Sequence, residues 1–197
     1  MENKATEYLP KDYKRNNPNI LKRIDFDRNN NESYHYLFIG NAGSGKTLLA
    51  SLLAHDFASR FSGQTVDAPY FIKVRTFYRD YLSLLNSSFS DVHSALKSKE
   101  AQFRSRFCII DDIGDERPST PSANEYIGGM LEERYDYLKT CQSQNKKCWT
   151  IGTTNLNQKQ LMEKYGSRVV DRIEEMFTIM KFKETSFRRK KREIIKE

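Results

Sequence analysis

Residues 34–47 read Tyr-His-Tyr-Leu-Phe-Ile-Gly-Asn-Ala-Gly-Ser-Gly-Lys-Thr, and TLLASLLAHDFASRF, residues 47–61, follows without a break. The first six residues are a short aromatic and β-branched run of the kind that forms a buried strand. The long apolar-spaced stretch has helical periodicity until Gly63 stops it. Between them, Gly40, Asn41, Ala42, Gly43, Ser44, Gly45, Lys46 and Thr47 fit G-x-x-x-x-G-K-[ST], with Leu48 opening the helix. The spacing has a physical reason. Gly43 and Gly45 let the backbone curl so that successive N–H groups point inward at phosphate oxygens. The following helix adds the positive end of its dipole. Lys46 then supplies a point charge between β- and γ-phosphates, and the Thr47 hydroxyl a ligand for Mg²⁺.

Working outward, the same pattern repeats. PYFIKV (69–74), FCII (107–110), CWTIGTT (148–154) and FTIMKF (177–182) read as further strands. FYRDYLSLL (77–85), ANEYIGGMLEERYDYLKT (123–140), NQKQLMEKYG (157–166) and SRVVDRIEEM (167–176) read as helices between them. Alternating strands and helices predict an α/β fold, an αβα sandwich with a five-stranded parallel sheet. Ligands of such sheets bind at the C-terminal strand tips. Asp111 and Asp112 stand at one tip, Asp111 to hold Mg²⁺ and Asp112 to polarise an attacking water. Thr153-Thr154-Asn155 stands at another. Its polar groups either sit beside Asp111 or cap the next helix, through Asn155 or Asn157. Arg168 and Arg172, four apart on one helix face, either pair with Asp171, Glu174 or Glu175 or reach a phosphate.

The rest of the chain bounds the class. It has 197 residues, 38% hydrophobic and 12% aromatic, a globular composition on the scale of one core. No apolar run is long enough to cross a membrane, and MENKATEYLPKDYKRNNPNI has no apolar signal region. Cys108, Cys141 and Cys148 make an odd set with no C-x-x-C pair, which argues against a disulfide framework or zinc site and for a reducing cytoplasm. Residues 1–33 are polar and read as an N-terminal arm or linker, with one short ordered piece near Ile20–Phe26. Residues 34–182 form the core. Residues 183–197, with seven basic and three acidic groups, carry +4 of the net +7 and read as a basic C-terminal helix. Such a tail suits a polyanion or is simply a solvated helix end.

GNAGSGKT, FCIIDDIGDERPS, LEERYDYL, WTIGTTNLNQKQLMEKYGSRVVDRIEEM and ETSFRRK together, spanning Tyr34 to Lys190, resemble the AAA+ ATPases of the DnaC/DnaI helicase-loader and IstB transposition-helper group. The resemblance implies a P-loop NTPase core of AAA+ type with a reduced C-terminal lid, binding ATP and Mg²⁺. Asn155 would be the sensor-1 residue, Arg172 the arginine finger for a neighbouring subunit's ATP with Arg168 as alternative, and Arg188 the sensor-2 arginine. It implies a homo-oligomer with ATP between subunits, single-stranded DNA along the inside, and a replicative helicase, initiator or transposase as partner. Two departures stand out. Loaders of this type carry an N-terminal helicase-binding domain, where here about thirty polar residues precede the first strand. Asp112 stands where many AAA+ proteins have Glu, and its shorter reach predicts slow hydrolysis.

The expected activity is therefore ATP hydrolysis in a replication factor that loads or remodels a helicase on single-stranded DNA. An IstB-like transposition helper, a non-hydrolysing ATP-gated adaptor and a P-loop kinase of a small molecule are the competing readings. Lys73, Arg75, Phe77, Tyr78 and Arg79 mix cations with aromatics as a DNA contact would. Alternatively, Phe77 and Tyr81 are core positions of an amphipathic helix. Arg117 and Ser119, after Asp112, are a second DNA candidate.

Overall fold

The computed structural model describes residues 9, 11–30, 33–60, 69–85, 94, 97–98, 100–117 and 120–183. Five strands form one sheet: β1 (His35–Ile39), β2 (Tyr70–Lys73), β3 (Phe107–Ile113), β4 (Trp149–Thr154) and β5 (Thr178–Lys181), in the order β2-β3-β4-β1-β5. Every neighbouring pair is parallel, as in His35 opposite Thr150 and Phe107 opposite Trp149. The helices are α1 (Lys11–Asn16), α2 (Pro18–Asn29), α3 (Lys46–Arg60), α4 (Val74–Leu85), α5 (Pro121–Ser143), α6 (Gln158–Tyr165) and α7 (Ser167–Met176).

Strand residues alternate between two cores, as a two-residue period demands. Tyr36, Phe38, Phe107 and Ile109 join Leu49, Leu53 and Phe57 of α3 on one face. Leu37, Ile72, Cys108 and Ile110 join Phe77, Ile127, Leu131, Val170 and Ile173 on the other. With both faces covered, all six residues of β4 are buried. The three cysteines are buried free thiols. Among the described residues no helix is long and apolar enough to cross a membrane.

Three details differ from the sequence reading. The third strand runs on to Ile113, so Asp111 and Asp112 lie inside β3, at a bulge where its pairing to β4 shifts between Ile110 and Ile113. Helix α4 starts at Val74, directly off β2. The segment read as an arm carries α1 and α2, and Leu9, Tyr13, Ile20, Leu21 and Ile24 are buried against α3 and β1. Pro18 opens α2, where its missing N–H costs nothing. Asp27 is also buried and accepts from the Tyr36 hydroxyl and from Arg23. Residues 184–197, the expected C-terminal helix, lie outside the described residues.

Candidate functional site

The loop between β1 and α3 takes the shape its glycines permit. Gly43 and Gly45 have φ of 85° and 92°, a region that other residues enter only with strain. Lys46, the first residue of α3, is buried with its ammonium inside the turn. It donates to the Gly40 and Asn41 carbonyls at 2.7 and 3.0 Å and to Asn155 Oδ1 at 2.8 Å. Ser44 is buried behind the turn, 3.5 Å from the same ammonium. Ala42, Gly43, Gly45, Thr47 and the half-exposed Leu48 face a cavity of about 370 Å³ shared with Lys73, Asp111, Asp112 and Asn155. Gly40 and Asn41 thus act through their carbonyls rather than as walls.

Opposite the loop, the tips of β3 and β4 supply oxygens. Asp111 is 2% exposed, and its Oδ1 accepts from Thr47 Oγ1 and from Thr153 Oγ1, each at 2.8 Å. Thr153 Oγ1 in turn accepts the Asp112 N–H at 2.9 Å. Asp112 sits at φ 59°, the left-handed region that Asp tolerates better than most residues. Burial, then the neighbouring Asp111 charge, raises its carboxyl above the usual range, against the pull of Lys73 and Lys46.

Asn155 and Asn157 divide the two roles left open by their spacing. Asn157 caps α6, accepting from the Gln160 N–H at 3.0 Å while Gln160 Oε1 accepts the Asn157 N–H at 2.9 Å. Asn155 is left to meet Lys46.

The donor set suits ATP with a divalent cation. Among the described residues no group of three His, Cys, Asp or Glu side chains is arranged to hold a metal alone. Mg²⁺ does not need one, because it combines one or two protein oxygens with phosphates and water. Thr47 Oγ1 and Asp111 Oδ1 are such a pair. A Cβ on Gly45 would meet Tyr13 at 2.4 Å, so the backbone cradle depends on glycine there.

The arginines lie elsewhere. Arg168 and Arg172 of α7 both pair with Glu132 of α5, at 2.9 and 3.1 Å, rather than with the nearby acids of their own helix. Neither lines the cavity. Arg172 stays 25% exposed, with its guanidinium 5.3 Å from the Tyr135 ring centroid, and Arg168 is 75% exposed. Arg188 lies outside the described residues.

Of the mixed basic and aromatic stretch, Phe77 and Tyr78 are buried, Phe77 edge-on to Phe103 at 5.2 Å, so they are core and not stacking platforms. Tyr81 packs partly buried against that core and stacks on Tyr126 at 3.8 Å. Arg75 and Arg79 stay on the wet face. Lys73 belongs to the cavity. Its signal was its address: in a parallel sheet the last residue of β2 lies opposite Asp111. Arg117 pairs with Asp115 at 3.2 Å, and Ser119 lies outside the described residues.

Residues 36–181 match the model of the ATPase family associated with various cellular activities (AAA). Compared by sequence with curated proteins, the chain matches none. Among solved structures it is similar to the DnaC helicase loader, at 23% identity and a TM-score of 0.65, over 88% of this chain and 100% of that one. It is also similar to AMPPCP-bound DnaA from Aquifex aeolicus, at 16% identity and a TM-score of 0.59, over 98% of this chain and 54% of that one. A third is the replication initiator DnaA bound to AMPPCP and single-stranded DNA, at 15% identity and a TM-score of 0.51, over 76% of this chain and 40% of that one. At these identities the likeness is one of fold, and the chain spans about half or less of the two DnaA chains.

Proposed function

The chain belongs to the AAA family of ATPases, and from that premise we propose that it binds and hydrolyses ATP at the strand-tip cavity as a helicase-loader-like replication factor on single-stranded DNA. The observation that carries the reading is the join between the two halves of the site. Lys46 at the start of α3 reaches Asn155 just after β4, and Thr47 reaches Asp111 of β3. An ammonium, a hydroxyl, two carboxylates and a neutral amide therefore meet around one cavity of about 370 Å³. The loop N–H groups and Lys46 bind the β- and γ-phosphates. Thr47 and Asp111 would hold Mg²⁺, whose charge would offset that of the phosphates. Asp112 polarises the attacking water, and Asn155 reaches the water or the γ-phosphate. Arg172, or Arg168, projects from α7 to a neighbouring subunit's ATP, and Arg188 is the sensor-2 arginine.

The loader role is supported by the fold shared with the whole DnaC chain and by the net charge of +7, which favours a polyanion. Single-stranded DNA in the DnaA complex supports the same ligand here. A helicase, initiator or transposase as protein partner, and a homo-oligomer bridged by ATP, complete the proposal. One observation favours a second reading, an ATP-gated adaptor that does not hydrolyse. Asp112 is one methylene shorter than a Glu, so its carboxylate reaches less far toward an attacking water.

The test is steady-state ATP hydrolysis with single-stranded DNA titrated in, and particle mass recorded in the same buffer. Turnover that rises with DNA, together with a rise in mass, is the expected result. ATP binding without turnover transfers the site to the adaptor reading. Phosphate passed to a nucleoside monophosphate makes it a kinase instead.

A further inference from the structure

Two glycines of the phosphate loop are backed by aromatic residues far apart in sequence, Gly45 by the Tyr13 ring and Gly40 by the Cβ and carbonyl of Phe182. A Cβ on Gly45 would stand 2.4 Å from Tyr13 Cε2, and one on Gly40 would stand 3.0 Å from Phe182 Cβ. The two rings meet edge-on, centroids 6.2 Å apart. Tyr13 is 1% exposed and Phe182 5%. The Tyr13 hydroxyl lies 3.4 Å from the Gly45 carbonyl oxygen to which it donates. Neither ring lines the cavity; both stand behind the loop that does.

Each ring is itself anchored. Phe182 donates its N–H to the Ile39 carbonyl at 2.8 Å, at the point where β1 enters the loop. The Tyr13 carbonyl accepts the Asn17 N–H at 3.1 Å and the Asn17 side-chain amide at 3.3 Å, where α1 passes into α2. The α1–α2 pair is held in turn by Ile20, Leu21 and Ile24 in the core beside α3. The loop needs this support. At φ 92° Gly45 has the widest choice of alternative conformations, and a phosphate site works only while its N–H groups converge. A ring in van der Waals contact removes those alternatives, because a packed interior leaves them no space.

We propose that Tyr13 and Phe182 form a bracket that positions the phosphate loop, so that docking of the N-terminal helix pair and binding of nucleotide strengthen one another. The proposal rests on the ATP reading above. Tyr13 and Phe182 are positioning residues: they stand against the loop and do not line the cavity. The coupling runs in both directions, since whatever raises nucleotide affinity through the helix pair must equally be stabilised by the nucleotide. A partner that grips α1 or α2, or the chain just beyond Phe182, would thereby tune the phosphate site without approaching it.

The experiment is calorimetric titration of Mg-ATP into the full chain and three variants. Tyr13→Ala removes the ring. Tyr13→Phe keeps the ring and loses only the long hydrogen bond. Leu131→Ala opens the other core, where Leu131 is buried on the far face of the sheet from the helix pair. Tyr13→Ala is expected to weaken binding about tenfold or more, and the other two to stay within about threefold of the parent. A Tyr13→Ala protein that binds as tightly as the parent overturns the bracket. So does a Leu131→Ala protein that loses as much, because the effect is then general loosening. A parent chain that binds no ATP overturns the ATP reading and the bracket together, whereas a binding parent with an indifferent Tyr13→Ala overturns the bracket alone. Should Tyr13→Ala fail to fold, amide exchange on the unaltered chain decides. Saturating Mg-ATP slows exchange across Lys11–Asn16 if the bracket holds, and leaves it unchanged if it does not.

Discussion

At the C-terminal tips of the strands a cavity of about 370 Å³ gathers groups from β2, β3, β4 and one loop; at the opposite ends a larger one, of about 630 Å³, is lined by His35, Tyr135, Lys139, Cys148 and Glu175 among others. Each is lined by four charged side chains, but at the larger one the single carboxylate, Glu175, is spent on Lys139. Glu175 accepts from the Tyr135 hydroxyl and from Lys139 on the outside of α5. Beside it, Arg134 is fully buried, and its guanidinium ties the approaches of two strands together. It donates to the carbonyls of Phe103, Ser105 and Trp149 at 2.7, 2.5 and 2.8 Å and to Thr150 Oγ1 at 2.7 Å. At the upper end the contacts also join separate elements, but each runs through a group that phosphate or a cation can replace as partner. The difference shows that volume is a poor guide to a site. What distinguishes the smaller cavity is convergence of unlike groups on a backbone forced into positive φ.

If the lower end is structural, breaking it must cost stability first. Arg134→Met leaves three carbonyls and a hydroxyl buried without their donor. That is expected to cost on the order of 3–5 kcal/mol, a large part of a domain's total stability. Urea unfolding measures it, and a loss under 1 kcal/mol would show that these oxygens find other donors. Where the variant still folds at low temperature, its affinity for Mg-ATP should match the parent.

The next largest effect belongs to the upper end and is framed as a pair. Lys46→Ala removes the ammonium that joins loop and Asn155, and is expected to weaken Mg-ATP binding about a hundredfold or more. Lys139→Ala removes a half-exposed lysine whose partner is Glu175. It should leave affinity within about twofold, since exposed pairs are worth about 1 kcal/mol or less. Titration calorimetry on both decides it. Equal losses would mean that the nucleotide uses the larger cavity as well.

Much of this contrast is legible in the sequence alone. The Gly40–Thr47 loop, the Asp111-Asp112 pair and the polar tip of β4 are each local: a few adjacent residues dictate both conformation and chemistry. The five strands were legible because both faces of the sheet are buried and the runs are nearly all apolar. What was hidden is non-local. The polar residues of 1–33 mask an apolar set, Tyr13, Ile20, Leu21 and Ile24, split over two helices at Asn17 and Pro18, so no single window shows a face. Glu132 is 36 and 40 positions from Arg168 and Arg172, and spacing along one helix cannot find a partner on another. Tyr13 and Phe182 meet only because the fold brings α1 and the residue after β5 together behind the loop. Gly128 interrupts α5 at no visible cost because Val169 packs close to it, a reason that also lies in tertiary structure.

The finest test of the contrast is the pH dependence of stability, which should trace to the lower end. Burial, and then the Arg134 charge, push the His35 imidazole down to about 4, and among the described residues its Nδ1 has no hydrogen-bond partner. The fold therefore holds it neutral. Above the unfolded value of about 6.5 both states are neutral and stability is complete. As pH falls from about 6.5 toward 4, the unfolded chain takes up a proton that the fold refuses, and stability drains away at up to about 1.4 kcal/mol per pH unit. Below 4 this group adds nothing more. His35→Gln removes the effect while keeping a polar side chain of similar reach. The parent-minus-variant difference in unfolding free energy should thus fall by about 2–3 kcal/mol across that window, and be flat above pH 7. Carboxylates common to both proteins cancel in the difference. A flat curve throughout would mean that His35 finds a proton acceptor in the fold, and the lower end would then hold an exchangeable polar group like those of the nucleotide site.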